Sequence, residues 1–341
     1  VPAFTTRAYQ TGDEAAVLAL LREVLGGGRG FDRSAAFWRW KHFENPFGPS
    51  LLTLATNGEI MGLRAFMRWE FRDHERTLRA VRAVDTATHP AARRGGVFSR
   101  LTAQAVDEAR AAGVDVIFNT PNAVSLRGYL KLGWTSLGRL RLLVKVLRPL
   151  RIAAALVGRP APEDREPAAA LPSIADLLGH GRALEGLLAE NDRLTGAGLR
   201  TARSAGFLRW RYGQAPSLAY AAWWTGPEPA AAAAVVRRNR RRGLREIMIS
   251  DLWLGPDGAA RAAGMLRELA RAVPADYMVA YAAGGTPHAA RGAVFHHPAA
   301  ERRGRAAGRR RPAGLAAGAR RPGSVLNSRR SHAADEPKGR V

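Results

Sequence analysis

The sequence predicts an α/β protein: a mixed, mostly antiparallel sheet flanked by helices, present twice in tandem. Three observations carry this. A strand, a basic glycine loop and a helix follow one another between Leu78 and Ala112. Asn57-Gly58 separates two apolar runs, Leu51–Ala55 and Ile60–Trp69, and this residue pair favours a tight hairpin turn. Phe37-Trp38-Arg39-Trp40-Lys41-His42 before Pro46 returns as Phe207-Leu208-Arg209-Trp210-Arg211-Tyr212 before Pro216. The strand and helix signals after each copy run in the same order, as an internal repeat requires. A chain of 341 residues also exceeds what one ordinary core spans.

The elements follow in order. Residues 3–26 read as a strand, a loop and a helix. Thr11-Gly12-Asp13-Glu14 starts that helix, Val17, Leu18, Leu20, Leu21 and Val24 recur at helical spacing, and Gly26-Gly27-Gly28 stops it. After the hairpin, Arg72-Asp73-His74-Glu75 turns the chain into the strand Leu78–Thr88. The loop His89-Pro90-Ala91-Ala92-Arg93-Arg94-Gly95-Gly96 leads to a helix over Val97–Ala112 and a strand over Val114–Asn119. Thr120-Pro121-Asn122 then opens a second helix that carries Ser125, Tyr129 and Lys131 and exits at Gly133-Trp134, and Thr135–Leu147 is strand-like.

Prolines at 149, 160, 162, 167 and 172 punctuate a connecting region, 148–200, in which Ile174–Leu194 reads as a helix. Leu147–Val157, with Arg148 and Arg151 among aliphatics, is short and suits packing between domains better than lying on an anionic membrane. In the second copy Ala219–Thr225, Ala232–Arg237 and Gly243–Leu254 read as strands, Asp257–Ala272 as a helix, Asp276–Tyr281 as a strand and Pro287–Arg291 as a short helix. From Pro298 the chain is rich in Ala, Gly, Arg and Pro and nearly lacks aliphatic and aromatic residues, a composition expected to be disordered. It is either a genuine basic tail or a frameshifted end. The expected divisions are therefore 1–147, 148–200, 201–297 and 298–341.

Composition bounds the chemistry. With no cysteine, disulfides, zinc-thiolate sites and thiol catalysis are excluded. No histidine or carboxylate cluster has metal-ligand spacing, so no metal is expected. No apolar run is long enough to span a bilayer and no signal-peptide pattern is present, so a soluble, cytoplasmic protein with no transmembrane segment is expected. Arg-, Ala- and Gly-rich usage suggests a GC-rich bacterial genome. The net charge is +24, and residues 296–341 hold twelve Lys/Arg against three Asp/Glu. A basic surface attracts coenzymes, nucleic acid or anionic lipid without specificity. No helix-turn-helix or aromatic-basic motif points to specific nucleic-acid recognition.

The strand–loop–helix at Arg93-Arg94-Gly95-Gly96 is a ready-made anion site. The first helical N–H groups lack internal partners, the helix dipole favours negative charge there, and two arginines beside them suit a pyrophosphate. The loop, together with Asn122, Ser125, Tyr129 and Gly133-Trp134, resembles the GNAT superfamily of acyl-CoA-dependent acetyltransferases. That family's loop reads Gln/Arg-x-x-Gly-x-Gly/Ala and holds the pyrophosphate of coenzyme A. Arg93-Arg94-Gly95-Gly96-Val97-Phe98 supplies the first arginine and the first glycine, and Phe98 departs from the last small residue expected. The resemblance implies two tandem GNAT-like domains. The second has Trp253-Leu254-Gly255-Pro256-Asp257-Gly258 in place of the basic loop and is expected to be non-catalytic.

The resemblance further implies acetyl-CoA as cosubstrate, bound by Thr88, Arg93, Arg94, Gly95, Gly96, Val97, Asn122 and Ser125, and transfer of its acetyl group to the primary amine of a small molecule or amino sugar by direct attack. Tyr129 matches the family's thiolate-protonating tyrosine, or else is a packed helix residue. Asn122 either reaches the pantetheine or caps its helix. Asp85 either holds the acceptor ammonium, takes its proton through water, or is structural. His89 is a second base candidate, and Glu44 is a candidate for the acceptor mouth. The aromatic group Phe37, Trp38, Trp40, Phe43 and Phe47 reads as core or as a ligand shelf. Two other function classes compete: a non-catalytic CoA-binding or scaffold protein, and a nucleic-acid binder using the basic tail.

Overall fold

The first sheet grows from β1 (Thr5–Ala8), the hairpin β2 (Leu51–Thr56) and β3 (Ile60–Asp73), and β4 (Arg76–Thr88), in the spatial order β1-β2-β3-β4. In the computed structural model, residues 3–26, 33–73, 76–137, 140–158, 170–195, 198–256, 258–282 and 294–296 are described, all within the compact unit Val1–Ala300. β2 and β3 are nearly continuous apolar runs because the sheet is covered on both faces. Helix α1 (Glu14–Leu25) buries Val17, Leu18, Leu20 and Leu21 against Leu54 and Leu63 on one face. Helix α2 (Ala35–His42) starts at Ser34, whose side chain accepts from the Phe37 N–H at 3.1 Å. Helix α3 (Val97–Ala111) covers the other face with Val97, Leu101, Ala105 and Ala109.

β4 carries a bulge. Leu63 faces Ala87 and Ala65 faces Val84, so β4 holds an extra residue there, and Asp85 takes a φ of 41°. β4 pairs in parallel with β5 (Val116–Asn119) over Ala80–Arg82 and Val116–Phe118. Beyond the bulge the two strands are no longer partnered, and α4 (Ala123–Lys131) leaves from the end of β5 toward β6 (Thr135–Ser136).

The second half repeats this plan. After β7 (Arg141–Val146) and α5 (Pro149–Leu156) come α6 (Ile174–Gly179), α7 (Gly181–Thr195), β8 (Arg200–Thr201) and α8 (Ala205–Leu208), which runs into a π-turn over Arg209–Gly213. β9 (Ala221–Trp224), β10 (Ala232–Arg241), β11 (Leu244–Leu254), α9 (Gly258–Ala272) and β12 (Tyr277–Ala282) follow, and the second sheet has the order β7-β12-β11-β10-β9. β11 is bulged where Val235 faces Asp251 and Val236 faces Ile249, and it pairs in parallel with β12 just before that point. Ser204 caps α8 from the Phe207 N–H, as Ser34 caps α2. The repeated segments meet: the Trp40 Nε1–H donates to the Trp210 carbonyl at 2.8 Å, and the Trp210 Nε1–H donates to the Trp40 carbonyl at 2.9 Å across an offset of 170 residues. Two helix-flanked sheets of mixed α/β type are thus present, as the sequence predicts.

Several elements differ from expectation. The strand-like run Thr135–Leu147 is two strands in two sheets: β6 pairs with β13 (Val294–His296), which lies between it and β5, while β7 pairs with β12. Ile174–Leu194 is two helices, broken at His180 between Gly179 and Gly181, whose φ is +30°. Leu147–Val157 is held against the second sheet by Arg151 to Asp276 at 2.8 Å and by the Leu147 and Arg148 N–H groups to the Asp276 carbonyl, while Leu150, Leu156 and Val157 stand 72–84% exposed. Asp257, the Pro287–Arg291 helix and the basic tail lie outside the described residues. Among the described residues no helix is long and apolar enough to cross a membrane.

Candidate active site

A cleft of about 980 Å³ opens where β4 and β5 lose their pairing. Thr86 and Thr88 of β4, Asn122 at the head of α4, and Ser125 and Tyr129 on α4 line it. So do Phe37, Trp40 and Lys41 of α2, Asp85 at the bulge, and Trp210, Arg211 and Tyr220 from the second half. Five of the predicted site residues, Thr88, Asn122, Ser125, Tyr129 and Asp85, therefore share one cavity. Arg93, Arg94, Gly95, Gly96 and Val97 are not on its lining. Arg93 and Arg94 are exposed on the loop beyond it, and the Val97 side chain is buried beneath α3.

Tyr129 is buried to 2% exposure, and its hydroxyl accepts a 2.7 Å hydrogen bond from Arg64 Nη1. Arg64 sits mid-strand in β3, fully buried, with the same Nη1 also donating to Thr86 Oγ1 at 2.7 Å. Burial lowers its pKa, and the Tyr129 oxygen pulls it back up. No carboxylate compensates it among the described residues. Instead its guanidinium lies 5.0–5.5 Å from the ring centres of Phe66, Phe98 and Tyr129, contacts worth ~2 kcal/mol each when desolvated. Phe98, the departure from the loop pattern, is thus a wall of this cage. Its ring also comes so close to Gly128 that a Cβ there would lie 2.9 Å from Phe98 Cε1.

Asp85 is the most heavily held carboxylate at the site. It accepts from Lys41 Nζ at 2.6 Å, His42 Nε2 at 3.0 Å and Arg33 Nη1 at 3.3 Å. Burial alone would raise its pKa; Lys41 and His42 outweigh that and hold the carboxyl far below the usual range. His42 is fully buried and hydrogen-bonded at Nδ1 to Ser50 Oγ at 2.9 Å. Burial pushes its pKa down, against the pull of Asp85. Asn122 caps α4, its side-chain oxygen accepting from the Ser125 N–H at 2.9 Å and Ser125 Oγ at 2.7 Å, so it is a cap and a cleft residue at once.

The glycine loop ends in Gly96, left-handed at φ 75°, with nothing within 4 Å of where a side chain would be, and no side chain caps the first turn of α3. Those N–H groups are open to an acceptor from outside. His89 turns away: its Nδ1 accepts from the Ala91 N–H and its Nε2 lies 3.4 Å from Glu23, off the cleft. Glu44 is exposed and not on the cleft lining, and Trp38 packs in the α1 core, whereas Phe37 and Trp40 reach the cleft.

Residues 5–137 match the family profile of the acetyltransferase (GNAT) domain. The chain carries a GNAT acetyltransferase domain. Solved structures resemble more than that domain. A protein of unknown function and probable N-acyltransferase from Enterococcus faecalis V583 aligns over 86% of this chain and 73% of its own, with a TM-score of 0.59 at 12% identity. A GCN5-related N-acetyltransferase from Anabaena variabilis ATCC 29413 aligns over 87% and 73%, with 0.60 at 12%. One from Kribbella flavida aligns over 87% and 72%, with 0.56 at 14%. At such identities the likeness is one of fold, and it extends past the GNAT domain into the second half. No curated protein sequence matches the chain.

Sequence reasoning missed Arg64, Lys41, Arg82 and the cleft residues of the second half. Arg64 left a trace, a lone arginine inside the apolar run Ile60–Phe66. Lys41 and Arg211 left another, as cations at the same place in the repeat.

Proposed function

We propose that the chain is an acetyl-CoA-dependent N-acetyltransferase that acetylates the primary amine of a small molecule by direct attack in a ternary complex. The observation that carries this is the Tyr129 hydroxyl, buried in the cleft between β4 and α4 and lining it together with Thr88, Asn122 and Ser125. The reaction needs a neutral amine, a polarised thioester carbonyl and a proton for the departing sulfur. Because the Tyr129 oxygen accepts from Arg64, its own proton is free to be given into the cleft. The Arg64 charge beside it stabilises the phenolate left behind. As the amine nitrogen bonds to the carbonyl carbon, the C–S bond breaks, the sulfur takes the Tyr129 proton and the amine proton leaves to water.

Asp85, ionised and anchored, serves to attract and orient the acceptor ammonium or to pass its proton through water. Thr88, Asn122 and Ser125 fit the pantetheine arm. Arg93, Arg94, Gly95, Gly96 and the Val97 N–H fit the pyrophosphate. On this reading residues 1–147 form the catalytic domain, with β7 lent to the neighbouring sheet; 148–200 connect; 201–297 form a GNAT-like domain without a coenzyme site; and 298–341 are a basic tail. The test is a panel of primary amines with acetyl-CoA and a free-thiol readout. Amine-dependent thiol release with a matching acetylated product is expected. Coenzyme binding without turnover of any amine would leave a non-catalytic CoA-binding protein and overturn the reading.

A further inference from the structure

The two halves together put cations into the cleft without anions to match. Arg82 of β4, Arg211 of the π-turn and Arg237 of β10 all line it, and among the described residues none of the three has a carboxylate within ion-pair reach. Arg82 donates from Nη2 to Thr120 Oγ1 at 2.9 Å, and its buried Nε has no hydrogen-bond partner. Arg82 and Arg211 share this half-buried lining; burial and the Arg211 charge lower the Arg82 pKa, and the Asp85 charge pulls it back up. Arg211 lies 5.5 and 5.9 Å from the ring centres of Tyr212 and Tyr220, and Arg237 lies 5.9 Å from Tyr220. Stacking fixes the guanidinium planes and leaves their charge uncancelled. The one carboxylate on the cleft lining, Asp85, is already shared among Lys41, His42 and Arg33.

These cations are not the coenzyme loop. Arg82 lies six residues up-strand of Thr88, about 20 Å away at the usual rise per residue. It lies three residues from the bulge at Asp85, about 10 Å. We infer that the acceptor carries, besides its amine, an anionic oxyacid group, a carboxylate or a phosphate, held by Arg82 and Arg211. This rests on the acetyltransferase reading for the amine. Planar guanidinium forks match both oxyacids, and two like charges lining one cleft with no carboxylate of their own favour an anion that joins them. The separation calls for a short linker between amine and anion.

Matched acceptors test it on the full chain: O-phosphoethanolamine against ethanolamine, and phenylalanine against phenylalaninamide. With acetyl-CoA and thiol readout, the anionic member of at least one pair should show a kcat/KM tenfold or more above its neutral partner. Which pair responds distinguishes phosphate from carboxylate. Arg211→Gln or Arg82→Gln should remove the preference and Arg211→Lys should weaken it, whereas Arg238→Gln, an exposed neighbour off the cleft, should keep it. Equal rates in both pairs, faster neutral members, or loss of the preference in Arg238→Gln would overturn the inference. If no amine turns over, the acetyl-transfer reading fails separately, and calorimetry with CoA present decides the anion site. O-phosphoethanolamine or phenylalanine should then bind and the neutral partner should not; equal binding, or none, overturns it.

Discussion

Asp85 and Asp251 occupy matching places in the two halves, each on the bulged strand that runs toward the start of a covering helix. Arg33 approaches Asp85, and its counterpart Arg203 holds Asp251 at 2.6 Å. His42 bonds Asp85, and at the same repeat position the Tyr212 hydroxyl bonds Asp251 at 2.8 Å. What differs lies beyond the strand. In the first half the loop opens at Gly96, with space around it. In the second the Gly255 N–H is spent on the Ala231 carbonyl at 2.9 Å, and a side chain there would press on the Ala230 carbonyl at 3.2 Å. Gly96 thus stands in open space at the head of α3, whereas Gly255, at the end of β11, is tied back to the neighbouring strand's approach.

The strongest way to break this contrast is to reverse the charge of the open loop. Arg93→Glu with Arg94→Glu should abolish acetyl-CoA binding in calorimetry, while the unaltered protein binds one equivalent. Two equivalent sites per chain would end the distinction between the halves. Next in size is Tyr129→Phe, which should lower kcat by about 10²–10⁴-fold with acetyl-CoA affinity nearly kept. Arg64→Met should also lower kcat more than it alters KM, because Arg64 acts through the phenol and touches no substrate.

The paired aspartates sharpen the comparison. Asp85→Asn and Asp251→Asn each leave a buried cation without its anion, a loss of about 3–5 kcal/mol in either half. Chemical denaturation should show similar losses for both, and only Asp85→Asn should lower turnover. The Asp85 pKa is depressed by folding, so its stabilisation is complete above its unfolded value near about 3.9 and is lost as pH falls below that. His42 is also depressed, so stability should decline as pH drops below about 6.5. Asp85→Asn should flatten the acid limb and a His42→Asn variant the limb above it, both read as denaturation midpoints from pH 7 to 3. The smallest expected effect is at the Trp pair. Trp40→Phe and Trp210→Phe should each cost about 1–3 kcal/mol, and the double variant less than their sum.

Periodicity and turn chemistry made the elements legible. The hairpin at Asn57-Gly58, the strand into the glycine loop and the helix over residues 97–111 lie where the sequence places them. The partnership of strands was not legible. β7 looks like any short apolar strand, and only the register with β12 shows which sheet it joins. In the same way, Asp85 is readable as a carboxylate before a loop, but its three donors come from α2 and from Arg33 just before its cap, through packing that no local pattern encodes. Arg82 and Arg211 were hidden in an arginine-rich composition, where one more cation carries little information until its neighbours are known.

In a twofold dimer, a residue near the symmetry axis meets its own copy, and donor and acceptor trade places across the contact. Trp40 and Trp210 do this within a single chain, their indoles stacked 5.1 Å apart at 23°. A surface that recognises itself needs only one sequence solution. Placing both copies on one polypeptide then fixes their stoichiometry at one to one and replaces a concentration-dependent encounter with an intramolecular one. This joint on the cleft lining is therefore immune to dilution, and a lesion in either indole acts on both halves.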